Sequence, residues 1–165
     1  MERRIRLIDL FPDSQVLGDD IQTLPQVVTD MLTRLIERGV CAESVPEILQ
    51  KVLQRETLGS TAIGNGVAVP HARTILVEKL ITTLAITPHG IDCQSLDGEP
   101  VYIFVLLLAP PLPVGAHLSS AFTPEAETVQ RVLRNAELLA KLRNAKTESE
   151  IRTILQQINT RDDDF

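Results

Sequence analysis

Apolar residues recur at helical spacing from Leu24 to Arg38, where Val27, Val28, Met31, Leu32, Leu35 and Ile36 share one stripe. Gly39 follows as the residue that ends such a helix in the left-handed conformation. A second stripe, Val45, Ile48, Leu49, Val52 and Leu53, predicts a helix running to about Arg55. Ser44, with Glu47 three residues on, has the spacing of a capping box at its start. The pattern then changes. ETLGSTAIGNG (56–66) reads as a glycine-bearing loop leading into the β-branched run Val67, Ala68, Val69. LITTLAIT (80–87) mixes apolar residues with threonines and reads as a strand. PHGIDCQSLDGEP (88–100) carries two turn signals, His89-Gly90 and Asp97-Gly98. VYIFVLLLA (101–109) does not alternate, which predicts a central strand covered on both faces, and Pro110, Pro111 and Pro113 end it.

The last third returns to helical periodicity. Thr123 as N-cap, Pro124 at the first helical position and Glu125 in the first turn open a helix to about Arg134. A short helix follows over Glu137 to Arg143. Thr147 with Glu150 forms another capping box, ahead of Ile151, Ile154, Leu155 and Ile158 on one face. The tail 159–165 is expected to fray. Helices, then strands, then helices, with one doubly covered strand, predict an α/β fold in which a mixed sheet lies between helical layers.

The 165 residues suit a single domain with one substantial core. Aromatics are scarce, so Leu, Ile and Val have to fill that core, and no stacking platform for single-stranded nucleic acid exists. A net charge of −6 also argues against a phosphate-backbone ligand. Cys41 and Cys93 have neither C-x-x-C nor metal-ligand spacing, and read as a reduced pair of small buried residues. The start MERRIRLIDLFPD lacks the apolar stretch of a signal peptide. The longest apolar run is well short of the roughly 20 residues of a membrane span. A soluble, cytoplasmic protein without membrane insertion is the expectation.

Three histidines can be weighed singly. His89 beside a turn reads as exposed and incidental. His117 follows a proline-rich loop beyond the central strand, a place where functional groups gather but where most histidines are simply solvated. His71 has the richest setting: Gly64 and Gly66 permit tight turning, Pro70 fixes the backbone just before it, and the Val67–Val69 run anchors the segment. Near pH 7 an imidazole with an ordinary pKa of about 6.5 offers a large neutral fraction as nucleophile or base. These residues alone leave two readings of His71, a reactive ring and a turn residue packed on its neighbour. Walker A fails for want of a lysine after Gly64, and G-x-G-x-x-G fails because Val69 stands at the third glycine. Asp92 and Asp97 read as turn residues, and Ser60 lies in no nucleophile elbow.

Taken together, RETLGSTAIGNGVAVPHAR (55–73), IDCQSLDGEPVYIFVLLLAP (91–110) and GAHL (115–118) resemble the IIA domain of the bacterial phosphoenolpyruvate phosphotransferase system. The similarity is to the fructose/mannitol type, which includes the nitrogen-regulatory IIA proteins, and it covers about residues 5–158 of a single domain. It implies a mixed five-stranded sheet flanked by helices on both faces. It implies that His71 accepts a phosphoryl group from the phosphohistidine of HPr or of its nitrogen-branch relative. Arg55 falls on the family's active-site arginine and His117 on its second histidine. Arg55 would pair with the equatorial oxygens through its guanidinium fork, and His117 would donate a hydrogen bond. Lesser contributions are implied for the Ser60 and Thr61 hydroxyls and for the N–H groups around Gly64 and Gly66. Neither metal nor other cofactor is called for.

The family pattern breaks after the His117-Leu118 pair, where SSAFTPEAETVQRVL delays the expected helix to Pro124. With no fused IIB segment in the chain, the expectation is a regulatory IIA that switches a target protein. The alternatives are a sugar IIA passing its phosphate to a IIB protein, and a binding module that is not phosphorylated. Sugar, regulated target and oligomeric state are left open.

Overall fold

The non-alternating run Val101–Ala109 is the strand around which the sheet is built. The computed structural model describes residues 5–112 and 124–158. In chain order the elements are α1 (Leu7–Leu10), β1 (Ser14–Val16), α2 (Leu24–Leu35), α3 (Val45–Thr57), β2 (Ala62–Gly64), β3 (Val67–Ala68), β4 (His71–Arg73), β5 (Ile81–Ile91), β6 (Val101–Ala109), α4 (Pro124–Arg134), α5 (Ala136–Arg143) and α6 (Glu148–Gln157). Short 3₁₀ turns cover Ile36–Arg38 and Ala42–Ser44.

The sheet order is β1-β5-β6-β3-β2, with β4 also on β6. β1 runs parallel to β5, β5 antiparallel to β6, and β3 and β4 parallel to β6. Six strand segments stand where five were expected, and the reason is Pro70. Val67 lies opposite Ile103 and His71 opposite Leu107, so β3 and β4 are one strand position interrupted between them. Proline has no N–H to give the ladder. Its carbonyl still accepts from Leu107 N–H at 3.0 Å, and β4 resumes directly with His71.

Helices cover both faces of the sheet. On one, Val28, Leu32 and Leu35 of α2 and Ile48 and Val52 of α3 pack with Ala85, Phe104, Leu106 and Leu108. On the other, Leu7, Val132, Leu142 and Ile151 of four helices pack with Leu84, Ile86, Ile103 and Val105. β6 thus supplies residues to both layers. A bulge near its start, where the Gly66 carbonyl accepts from both Tyr102 and Ile103 N–H, sets the alternation that follows.

Local expectations fared unevenly. Gly39 has φ 98 and closes the turn after α2, and Asn135 caps α5. Thr147 caps α6 by accepting from Glu150 N–H at 3.1 Å, although the Glu150 carboxylate returns to Lys146 rather than to Thr147. Ser44, by contrast, does not cap α3. It ends a 3₁₀ turn that runs straight into the helix, so its backbone is already right-handed and its hydroxyl makes no cap bond. A complete capping box occurs instead at Thr23 and Gln26 of α2. The loop expected over 56–66 contains β2, joined to β3 by Asn65-Gly66 with φ 56 and 77, the two positive values of a type I′ hairpin turn. His89-Gly90 is no turn: β5 continues through it, with a register shift between Ile86 and Ile91. Cys93 is buried, but Cys41, at the start of the 3₁₀ turn before α3, is exposed. The expected cap Thr123 and the tail 159–165 lie outside the described residues.

Candidate active site

His71 is half-buried at the start of β4, facing a pocket of about 390 Å³. Arg55, from the last turn of α3, and Gln130, from α4, supply polar wall; Ile63, Val69, Leu80, Leu107, Val129 and Leu133 make most of the remainder apolar. An apolar wall lowers the local dielectric, which strengthens any charge interaction formed inside it.

The ring's orientation follows from one bond. Nδ1 of His71 lies 2.8 Å from the carbonyl oxygen of Val69. A carbonyl can only accept, so Nδ1 carries the proton and Nε2 of the neutral ring keeps its lone pair. Val69 precedes Pro70 and is itself held, its N–H donating to Thr61 O at 3.1 Å. The Pro70 break therefore turns the ring back onto the residue two places before it.

Arg55 shares the pocket with His71, and its Nη1 donates to the Gly59 carbonyl at 3.0 Å. One of five N–H donors is used there, so the guanidinium is steadied with donors to spare. Ser60 and Thr61 also line the pocket, but their hydroxyls are committed elsewhere. Ser60 Oγ donates to Cys93 O at 2.6 Å and accepts from Ala62 N–H, while Thr61 Oγ1 donates to the Glu56 carboxylate. Both serve the loop before they can serve a ligand. Gly64 and Gly66 are not part of the lining. Gly64 leads into the hairpin turn and Gly66 is its second residue, at the other end of the β3–β4 position, where Gly66 pairs with the start of β6 and Gly64 approaches Asp97. His117 lies outside the described residues.

Asp92 and Asp97 behave as the turn residues their sequence suggested: Asp92 accepts from Gln94 N–H, and Asp97 from Glu99 N–H, Ser95 Oγ and Asn65 N–H. His89 is exposed, with Nε2 2.5 Å from Asp19 Oδ1, and is not part of the pocket lining. Burial pushes the Cys93 thiol up to about 12, with the charges of Glu56 and Asp92 adding to the effect. Among the described residues no group of three or more His, Cys, Asp or Glu side chains is arranged to hold a metal ion. No described helix is long and apolar enough to cross a membrane.

A protonated Nδ1, an Nε2 that keeps its lone pair and an arginine lining the same largely apolar pocket form an arrangement suited to a nucleophilic histidine. The sequence model of the family described as phosphoenolpyruvate-dependent sugar phosphotransferase system, EIIA 2, matches residues 10–158. The chain belongs to that family. Among its relatives, a nitrogen regulatory protein of Bradyrhizobium diazoefficiens is 36% identical over 66% of this chain and 67% of its own length. The 2-O-α-mannosyl-D-glycerate-specific EIIABC component of Escherichia coli is 34% identical over 87% of this chain, which spans 21% of that longer protein. In fold, the crystal structure of nitrogen regulatory protein IIA-Ntr from Neisseria meningitidis superposes with a TM-score of 0.63 at 22% identity, over 88% of this chain and 94% of the other.

Sequence patterns did not point to Val69 or Gln130. The signal for Val69 was Pro70, which removes the N–H of the Val69–Pro70 peptide unit and interrupts the regular ladder at the Val69 carbonyl. Gln130 carried none, because its nearness to His71 depends on how α4 returns across the sheet.

Proposed function

We propose that this EIIA protein is a phosphocarrier that takes a phosphoryl group onto Nε2 of His71. The observation that carries the proposal is the 2.8 Å bond from Nδ1 to Val69 O, which leaves Nε2 as the nucleophilic nitrogen of a ring whose pocket Arg55 also lines. In the transfer, the Nε2 lone pair forms a bond to phosphorus as the N–P bond of the donor phosphohistidine breaks, its electron pair returning to the donor nitrogen. The proton on Nδ1 stays in place, and the positive charge that grows on the ring is shared with the Val69 carbonyl. Arg55 neutralises the equatorial oxygens through its free N–H groups. His117 is assigned the second hydrogen bond to the phosphoryl group. The donor is already activated, so no metal enters the step.

The donor is HPr or its nitrogen-branch relative, and the place of work is the cytoplasm. We assign the protein to the regulatory branch, supported by the relative named for nitrogen regulation. The sugar-transport reading, with a IIB protein as acceptor, is supported by the relative named for an EIIABC component.

Incubation with phosphoenolpyruvate, Enzyme I and each carrier is expected to place one acid-labile phosphate on the protein, and His71→Ala to abolish it. No label with either carrier would leave a binding module that is not phosphorylated; label persisting in His71→Ala would refute the site. Loss of rate in His117→Ala tests the second histidine, and onward transfer to a IIB protein separates transport from regulation.

A further inference from the structure

We propose that Glu56 is a positioning residue for His71, holding the ring's reactive tautomer from a distance. The inference rests on the phosphocarrier reading for its consequence, though not for its geometry. Glu56 sits on the last turn of α3, directly after Arg55. Its two carboxylate oxygens grip one residue: Oε1 accepts from Thr61 Oγ1 and Oε2 from Thr61 N–H at 3.2 Å. Thr61 is buried, and its carbonyl accepts from Val69 N–H at 3.1 Å. The Val69 carbonyl in turn accepts from His71 Nδ1 at 2.8 Å. Three successive links therefore run from the end of α3 to the imidazole.

A carboxylate near a helix C-terminus opposes the helix dipole, so the bonds to Thr61 have to outweigh that cost. The grip is well supported on its far side. Ser60, the neighbour of Thr61, is tied to Cys93 O, and Arg55 is tied to Gly59 O. One turn of helix thus orients both halves of the chemistry, with Arg55 reaching into the pocket and Glu56 fixing the loop that aims the ring. Glu56 touches no reacting atom; its influence is on where the Val69 carbonyl lies. If that carbonyl shifts, the ring is free to move its proton to Nε2, which removes the nucleophilic lone pair from the pocket side.

The test uses the full chain and two readouts. Proton–nitrogen NMR of the imidazole at alkaline pH reports the tautomer without any transfer taking place. Phosphoryl acceptance from the labelled carrier reports the rate. The wild type is expected to show Nδ1–H. Glu56→Gln and Thr61→Val are each expected to raise the Nε2–H population and to slow acceptance about ten- to a hundredfold. Thr61→Ser, which retains the hydroxyl, is expected to restore both. A folded Glu56→Gln with the wild-type tautomer overturns the proposal whatever its rate. Loss of fold in both Glu56→Gln and Thr61→Val overturns it as well, since Glu56 would then hold the fold and not the ring. If the wild type takes no phosphate, the phosphocarrier reading fails, while the tautomer of the variants still decides the role of Glu56.

Discussion

Arg55 stands at a helix C-terminus, where any cation is favoured by the dipole, and in the pocket, where the proposed transfer would use its planar fork to pair two phosphoryl oxygens at once. Arg55→Lys separates these roles. It keeps the charge and is expected to change the thermal midpoint by less than about 2 °C, while lowering the rate of phosphoryl acceptance about tenfold, or ~1.4 kcal/mol in the barrier. The two cysteines offer a second contrast between single residues. Cys41 is exposed, whereas Cys93 is buried with its thiol pushed up to about 12. One thiol is therefore expected to react with a disulfide reagent at pH 8 in the native protein. Cys41→Ser should remove that fast phase and unfolding should release a second equivalent, since the thiolate is the reactive form.

At the scale of elements, helix starts give the sharpest test. Thr23 accepts from Gln26 N–H at 3.3 Å while Gln26 Oε1 accepts from Thr23 N–H at 3.1 Å. Thr23→Ala is expected to cost ~1 kcal/mol in a urea titration. Ser44→Ala is expected to fall within about 0.5 kcal/mol of the wild type, because its hydroxyl caps nothing. The same contrast explains what could be read from the chain alone. The stripes of α2, α3 and α6 and the unbroken apolar run of β6 carry enough residues for a period to be visible. β1, β2 and β4 have three residues each, too few for any period, and their strand character comes from neighbours distant in sequence. The capping-box spacing at Ser44 was present, but the backbone before it had already turned helical. In the candidate site, the placing of Arg55 and His71 in one pocket accords with the motif that joins them. The commitment of Ser60 and Thr61 to Cys93 and Glu56, the remoteness of Gly66 and the wall formed by α4 depend on tertiary packing, which no local pattern encodes.

For the whole molecule, Asp97 joins the β5–β6 connection to the β2–β3 hairpin through Asn65 N–H at 3.0 Å. Its hydroxyl bond from Ser95, and then the backbone N–H groups of Glu99 and Asn65, hold its carboxyl below the ordinary range. A lowered folded pKa means that the carboxylate stabilises the fold above the unfolded value of about 3.9. That contribution is lost as pH falls from there through the folded value. Thermal midpoints measured against pH are expected to fall less steeply below pH 4 in Asp97→Asn than in the wild type, with parallel curves above pH 5.

The short strands have a last consequence, for how other proteins are recognised. The ends of the described sheet order, β1 and β2, and the off-path segment β4 are all three residues long, and β4 follows a proline and carries Arg73. Among the described residues, such short edges are poor templates for an incoming strand, which guards against aggregation and disfavours binding by backbone pairing. Recognition of a protein that approaches His71 would then fall to side chains. Its identity can therefore be retuned by surface substitutions that leave the sheet untouched.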